Sequence, residues 1–322
     1  MNKLLRLTLG FAFSGLFLWL LLRHLSFDEL QNAFSETNLP LIGLAVVAFF
    51  IGYGCRIERL HLMLSQENPA LTWKMCAGPL MACYAANNVL PFRAGDVLRA
   101  FAFNRRLGIG MAVSVTTLVA ERMVDLLMLI LLLGIALIWF GMETSRFFGI
   151  GGGGLIIVSA VIVFLLTMPS VFEPIVFRLC RTMSRYMPRI GDALLAQFQK
   201  VFTALDHISK AHIMLRILFW SLLGWIGEGF TFWLVALALP SITNHLAAWL
   251  ALSVGTLVTA IPSAPGYVGT FDYFTAQAMM ALGNATAASA VFAFIVHLVV
   301  WLPSSIAGGL YLLLRPITKP QN

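Results

Sequence analysis

The residues of this chain that could do chemistry lie where charge is expensive. Arg93, Asp96 and Arg99 fall in one apolar stretch, Glu121, Arg122 and Asp125 in the next, and Glu228, Asp272 and His297 further on. A charged side chain in mid-bilayer costs about 2.5–3.5 kcal/mol, so half a dozen left unpaired would cost on the order of 15 kcal/mol. They must pair, be hydrated or give up their charge. Asp96 and Arg99 are i,i+3 neighbours, and Glu121 and Asp125 are i,i+4 on one helix face, with Arg122 pointing elsewhere. Two carboxylates on one face could hold a proton or a cation, or grip Arg93 and Arg99. The plainer alternative is an ion-pair network that locks this stretch against its neighbour. Arg93 lies at a break, where a guanidinium suits a bidentate grip on phosphate. His297 alone reads as a hydrogen-bonded core histidine rather than a proton relay.

Two broken apolar stretches must position these groups. Trp73–Leu107 is interrupted by Asn87, Asn88, Pro91, Arg93, Gly95, Asp96 and Arg99; Leu246–Leu282 is interrupted by Pro262, Pro265, Gly266, Gly269 and Asp272. Neither half of either stretch is long enough to cross a bilayer cleanly, so each reads as a re-entrant helical hairpin. Irregular backbone at membrane depth is tolerated only inside protein or beside a wet cavity. Pro91 and Gly95 would be hinges in the first hairpin, and Pro262, Pro265, Gly266 and Gly269 in the second. Asn88 at the first break, and Ser263, Tyr267 and Thr270 in the second, could hydrogen-bond a headgroup. The rival reading of the second break is a tight turn packed for its own sake.

Pro91 and Pro262 are 171 positions apart, each followed four residues on by glycine, Gly95 and Gly266. The same offset places the span before the first hairpin on the span carrying Gly227 and Glu228, and the span after it on the last span. Three crossings separate the copies, an odd number, so they would be inverted in the membrane. Repeat 1 is expected over about 39–140 and repeat 2 over about 213–314. Paired Pro/Gly interruptions of this kind point to a transporter's midplane site.

Composition sets the frame. Of 322 residues, 60% are apolar and only 11% are charged. Soluble domains run near 45–50% and 25%, so a cytosolic enzyme, a disordered regulator and a nucleic-acid-binding domain are excluded. Apolar runs of crossing length are Leu7–Leu22, Leu39–Cys55, Ala112–Phe140, Gly151–Met168, Ile213–Leu239 and Ala287–Leu314. The expected architecture is an all-α polytopic membrane protein with about six transmembrane helices and two re-entrant hairpins. A cytoplasmic N-terminus puts loops 56–74, 93–106, 172–212 and 315–322 inside, leaving Arg23 and Arg146 as the basic residues outside. Both termini would then be cytoplasmic. The segment 169–212, with Arg178, Arg181, Arg185, Arg189, Lys200 and Lys210, is expected as amphipathic helix on the inner leaflet. The four cysteines suggest no disulfide framework. No catalytic motif, metal-ligand spacing or cofactor motif is present, so lipid transport is favoured over chemistry.

The strings from Asn88 to Arg99, from Glu121 to Asp125, Gly227-Glu228, and from Ile261 to Gly269 resemble the lysylphosphatidylglycerol synthase transmembrane-region, or flippase-like, family. The resemblance covers roughly residues 5–315. In one branch of that family the membrane domain flips aminoacylated phosphatidylglycerol made by a separate soluble domain. Other members resemble companions of glycosyltransferases acting on lipid-linked sugars. The chain ends at Asn322, just after its last span, so lipid aminoacylation is not expected of it. Substrate does not transfer from the family name; the expected function is a translocase of the bacterial inner membrane for an anionic phospholipid or a polyprenyl-phosphate-linked lipid. Arg93 and Arg99 would hold phosphate. Asp96, Glu121, Arg122, Asp125 and Asp272 would position them or carry a coupling proton. Glu228 and the Pro265–Gly269 turn would gate. The alternatives are a membrane-embedded enzyme acting on a lipid headgroup, and a non-transporting partner of a glycosyltransferase.

Overall fold

The computed structural model describes residues 15–21, 28, 31, 34–90, 93–141, 152–260 and 264–315. Every regular element among them is helical. Helix α1 (Leu39–Leu64) opens with the Asn38 side chain accepting from the Leu41 amide at 3.3 Å, with Pro40 in the first turn. Its end corrects the boundary expected at Cys55. Arg56 and Arg59 are not in a cytoplasmic loop; they are buried in the helix, because each finds a carboxylate and Leu60, Leu62, Met63 and Leu64 continue the apolar faces beyond them.

Helices α2 (Trp73–Val89) and α3 (Ala94–Ala102) pack against each other across a break, and a short turn, α4 (Asn104–Leu107), follows. The fold-back depends on Gly95. A Cβ there would lie 2.0 Å from the carbonyl oxygen of Cys83, so α3 can sit this close to α2 only without a side chain. After α5 (Met111–Trp139) comes α6 (Gly152–Thr167), which bends by 74° into α7 (Pro169–Tyr186). Helix α8 (Pro188–Ser209) packs on α7. The segment expected as amphipathic helix is two helices, split at Met187–Pro188.

Helix α9 (Ala211–Leu237) lies along α1. The seam is made of glycine: a Cβ on Gly227 would come 2.9 Å from the Cα of Gly52, and one on Gly52 would come 3.0 Å from the Gly224 carbonyl oxygen. Next come α10 (Ala247–Val258), a single turn at Pro265–Tyr267, and α11 (Thr270–Ala281), which packs back on α10. The last long helix is α12 (Thr286–Leu314). The first hairpin's α2 packs on α12, and the second hairpin's α10 packs on α5.

Four described helices, α1, α5, α9 and α12, are long and apolar enough to cross a bilayer, and the bent pair α6–α7 is a fifth candidate. The expected first span is described only over 15–21, where Leu21 packs with Ala276, Ala290 and Ala293 and the Phe17 ring lies 5.3 Å from that of Tyr273. Apolar side chains face outward: Leu298, Leu302, Ile306 and Leu310 form an exposed stripe four residues apart along α12. Charge is inside. Arg59, Arg99, Glu121 and Asp125 are buried. Buried, mutually paired charges within an apolar core and large apolar side chains turned outward are the pattern of an all-α polytopic membrane protein.

Candidate functional site

A cavity of about 330 Å³ opens between the two hairpin breaks, walled by α1, α5, α9 and α12. Its wall on the α1–α5–α9 side is built from paired charges. Arg56 of α1 donates to Glu228 of α9, and its guanidinium lies 4.3 Å from the ring centre of Trp225. One turn on, Arg59 Nη1 donates to Asp125 Oδ1 at 2.6 Å and to the Ser221 hydroxyl at 3.2 Å. The Trp225 indole N–H also donates to Asp125, at 3.2 Å. Arg122 donates to Asp96 Oδ1 at 2.7 Å, and its other terminal nitrogen is 3.6 Å from Asp125 Oδ2. Arg99 donates to Glu121 deeper in the protein. Four arginines thus meet four carboxylates, which is how this interior carries so much charge at tolerable cost.

Two expectations about these groups are corrected. Asp96 and Arg99 do not pair with each other: Asp96 accepts from Arg122, the Asn87 amide group and the Cys83 thiol, while Arg99 faces Glu121. Arg122 does not point away from the Glu121–Asp125 face. Its long side chain reaches Asp96 in the hairpin and approaches Asp125 one turn along its own helix. Glu121 and Asp125 hold no common partner; each has its own arginine.

Arg93 differs from the other cavity arginines. It has no carboxylate partner among the described residues. Its Nε donates to the Tyr267 hydroxyl at 3.1 Å and its Nη2 to the Thr259 hydroxyl at 2.9 Å, so both partners are neutral and belong to the second hairpin. It precedes α3 with left-handed backbone, φ 51° and ψ 40°. Tyr267 is the other described non-glycine residue with positive φ, at 61°. A non-glycine residue held there costs of order 1–3 kcal/mol and is retained where surrounding structure demands it.

Behind Tyr267 the turn is pinned from several sides. Gly266 has φ 69°, and a Cβ on it would meet the Trp301 indole nitrogen at 2.8 Å. His297 Nε2 is 2.9 Å from the Gly266 carbonyl oxygen, and its Nδ1 is 2.7 Å from Asp272 Oδ1. Asp272 Oδ2 accepts from the Gly269 amide at 2.8 Å, where φ is 83°. Asn88 faces the cavity but spends its amide group on the Trp301 carbonyl and the hydroxyls of Ser304 and Ser305, tying the first break to α12.

Arg93, Arg122, Asp125, Glu228, Tyr267, Gly266 and Asn88 are thus brought to one cavity. Arg99, Glu121, Asp96, Asp272 and Thr270 stand behind its walls. Thr270 is buried at 1% exposure, and Pro265 and Gly269 shape the turn without lining the cavity. Pro91, Pro262 and Ser263 lie outside the described residues. Sequence reasoning missed Arg56, Arg59, Trp225 and Thr259. The i,i+3 spacing of Arg56 and Arg59, followed by more leucine and methionine, was the available signal for the first two.

Residues 7–308 match a family model described as lysylphosphatidylglycerol synthase TM region. No curated protein and no solved structure matches the chain. The match takes in α1, both hairpins and nearly all of α12, the elements that enclose the cavity; the chain belongs to the lysylphosphatidylglycerol synthase TM region family.

Proposed function

We propose that the protein is a lipid translocase of the bacterial inner membrane, with both termini in the cytoplasm. It moves an anionic phospholipid or a polyprenyl-phosphate-linked lipid rather than changing it chemically. The observation that carries this reading is Arg93, a cavity cation whose hydrogen-bond partners among the described residues are neutral hydroxyls, while Arg56 and Arg122 of the same cavity have carboxylates. A phosphate can take up its unmatched charge with a charge-assisted, two-point hydrogen bond. Tyr267 and Thr259 hold the guanidinium in place until then. Arg122, partly exposed and shared between Asp96 and Asp125, lies across the cavity as a second cation. The acyl or prenyl tails stay in the bilayer.

The inverted repeat expected from the sequence belongs to the same reading. With the offset of 171 residues, α1 corresponds to α9, α2 to α10 and α5 to α12. The observed packing respects the exchange: α1 lies on α9, α2 on α12 and α10 on α5. Two kinked hairpins facing each other across one cavity suit alternating access. A glycosyltransferase or lipid synthase working beside the protein would supply or consume the lipid.

The test is movement of a fluorescent or tagged anionic lipid between leaflets of proteoliposomes. The wild-type protein accelerates it. Arg93→Ala, folded and reconstituted equally, slows it at least tenfold, and Arg93→Lys restores part of the rate. Unchanged rates in Arg93→Ala sink the assignment of that residue. A new lipid product made by the purified protein would favour an enzyme. Co-purification with a glycosyltransferase without lipid movement would favour a scaffold.

A further inference from the structure

The second hairpin's turn is held by a histidine whose two hydrogen bonds make incompatible demands on a neutral ring beside an ionised aspartate. A carbonyl oxygen only accepts, so the 2.9 Å contact from His297 Nε2 to Gly266 requires a proton on Nε2. At Nδ1, 2.7 Å from Asp272 Oδ1, there must also be a proton between the two atoms. Either the imidazole is doubly protonated beside a carboxylate, or a neutral ring accepts from a protonated Asp272. Both forms hold one more proton than neutral histidine beside ionised aspartate. Remove that proton and one contact fails. A proton on Nε2 alone sets the Nδ1 lone pair against the carboxylate, and a proton on Nδ1 alone sets the Nε2 lone pair against the Gly266 carbonyl.

From this we infer that Asp272 and His297 form a proton-binding site that latches the Gly266–Tyr267 turn, and with it the Tyr267 contact to Arg93, to the state of the cavity. The inference rests on the translocase reading for what the latch serves, and on the hydrogen bonds alone for its existence. With the proton bound, α12 grips the turn through Gly266, and the Tyr267 hydroxyl accepts from Arg93. When the proton leaves to water in the cavity, which His297 lines, the Asp272–His297 bond keeps its remaining proton and the Gly266 carbonyl is released. The left-handed backbone of Tyr267 then loses one of the contacts that impose it. Proton occupancy and the freedom of Arg93 to take a phosphate are linked through one short turn.

The other charged groups around the dyad have partners of their own. Helix α11 contributes Asp272 itself and Tyr273, while α10 has no ionisable side chain. Across the cavity, Arg56 of α1 and Glu228 of α9 neutralise each other. Arg122 and Asp125 of α5 are likewise paired, with Asp96 and Arg59. Arg93 faces the turn from the first hairpin, and Tyr53, Tyr84 and Tyr267 complete the ionisable lining. No carboxylate other than Asp272 lies within salt-bridge distance of His297 among the described residues.

Hydrogen–deuterium exchange of the full chain in lipid nanodiscs, read on peptides spanning 264–272 from pH 5 to 9 and corrected for intrinsic rates, tests this. In the wild type, protection falls at least tenfold in a single one-proton step as pH rises. Asp272→Asn keeps the Gly269 cap and donates an amide N–H to a neutral His297, so its turn stays protected at every pH. His297→Phe is unprotected at every pH. A flat wild-type profile, or a wild-type step retained in whichever variant folds, overturns the latch. In proteoliposomes a pH gradient changes the wild-type lipid rate severalfold and leaves Asp272→Asn indifferent. An exchange step without any lipid movement would overturn the translocase and keep the latch; lipid movement without an exchange step would do the reverse.

Discussion

Arg93 and Tyr267 meet across the gap between the two hairpins, and both have left-handed backbone. The guanidinium carbon of Arg93 lies 5.8 Å from the centre of the Tyr267 ring, and Nε donates to the hydroxyl at 3.1 Å. Each hairpin therefore offers one conformationally costly residue, and the two costs are held in place by one contact. Strain of this kind concentrates where a site must be shaped in advance.

Two substitutions at Arg93 separate its backbone from its charge. Arg93→Ala and Arg93→Gly both remove the guanidinium, but only glycine accepts φ 51° without penalty. The glycine variant should be more stable than the alanine variant by about 1 kcal/mol, read as denaturation midpoints in one detergent. Both should be equally poor at moving lipid.

The buried Arg59–Asp125 pair should behave as a unit. Removing one member leaves the other charged and unmatched, at a cost of about 3–5 kcal/mol. Arg59→Leu and Asp125→Leu are each expected to destabilise by that order, and the double change by clearly less than their sum. A double-mutant cycle on denaturation free energies measures the coupling. An additive result would mean that water reaches the pair.

Glycines of α1 and α9 should divide by position. Gly227→Ala puts a methyl group 2.9 Å from the Gly52 Cα and forces the two helices apart, so loss of thermal stability and of lipid movement is expected together. Gly54, on the same helix as Gly52, has open space where its Cβ would be. Gly54→Ala should be neutral or stabilise by up to about 1 kcal/mol. A thermal-shift comparison of the two variants suffices.

Thiol labelling offers a check on the packing itself. All four cysteines are free; Cys55 is partly exposed, while Cys76, Cys83 and Cys180 are buried. In the folded protein a maleimide should modify Cys55 alone, and unfolding should release the rest, as counted by intact mass.

The hairpins were legible because proline, glycine and polar residues cluster at both breaks, beside the residues that now face the cavity, whereas a lone proline such as Pro79 or Pro303 stays within its helix. The end of α1 was not. Arg56 and Arg59 read as a water-facing boundary because hydropathy counts a charge without knowing its partner, and their partners are 172 and 66 residues away. The same blindness affected Arg122. Its Cβ direction on the helix does leave the Glu121–Asp125 face, yet a guanidinium at the end of a long flexible stem reaches back. Arg99 was expected to meet phosphate and instead sits behind the wall, because only the packing of α3 on α5 decides which arginine of the hairpin faces the cavity.

The cross-packing of the hairpins has a mechanical result. Since α2 is fastened to α12 through Asn88, and α10 lies against α5, neither half of the polypeptide can swing as a door of its own. A split between first and second halves would tear both seams at once. The blocks these contacts draw are hybrids, each a hairpin from one half packed on a long helix from the other, with the glycine-lined pair α1 and α9 joining the halves.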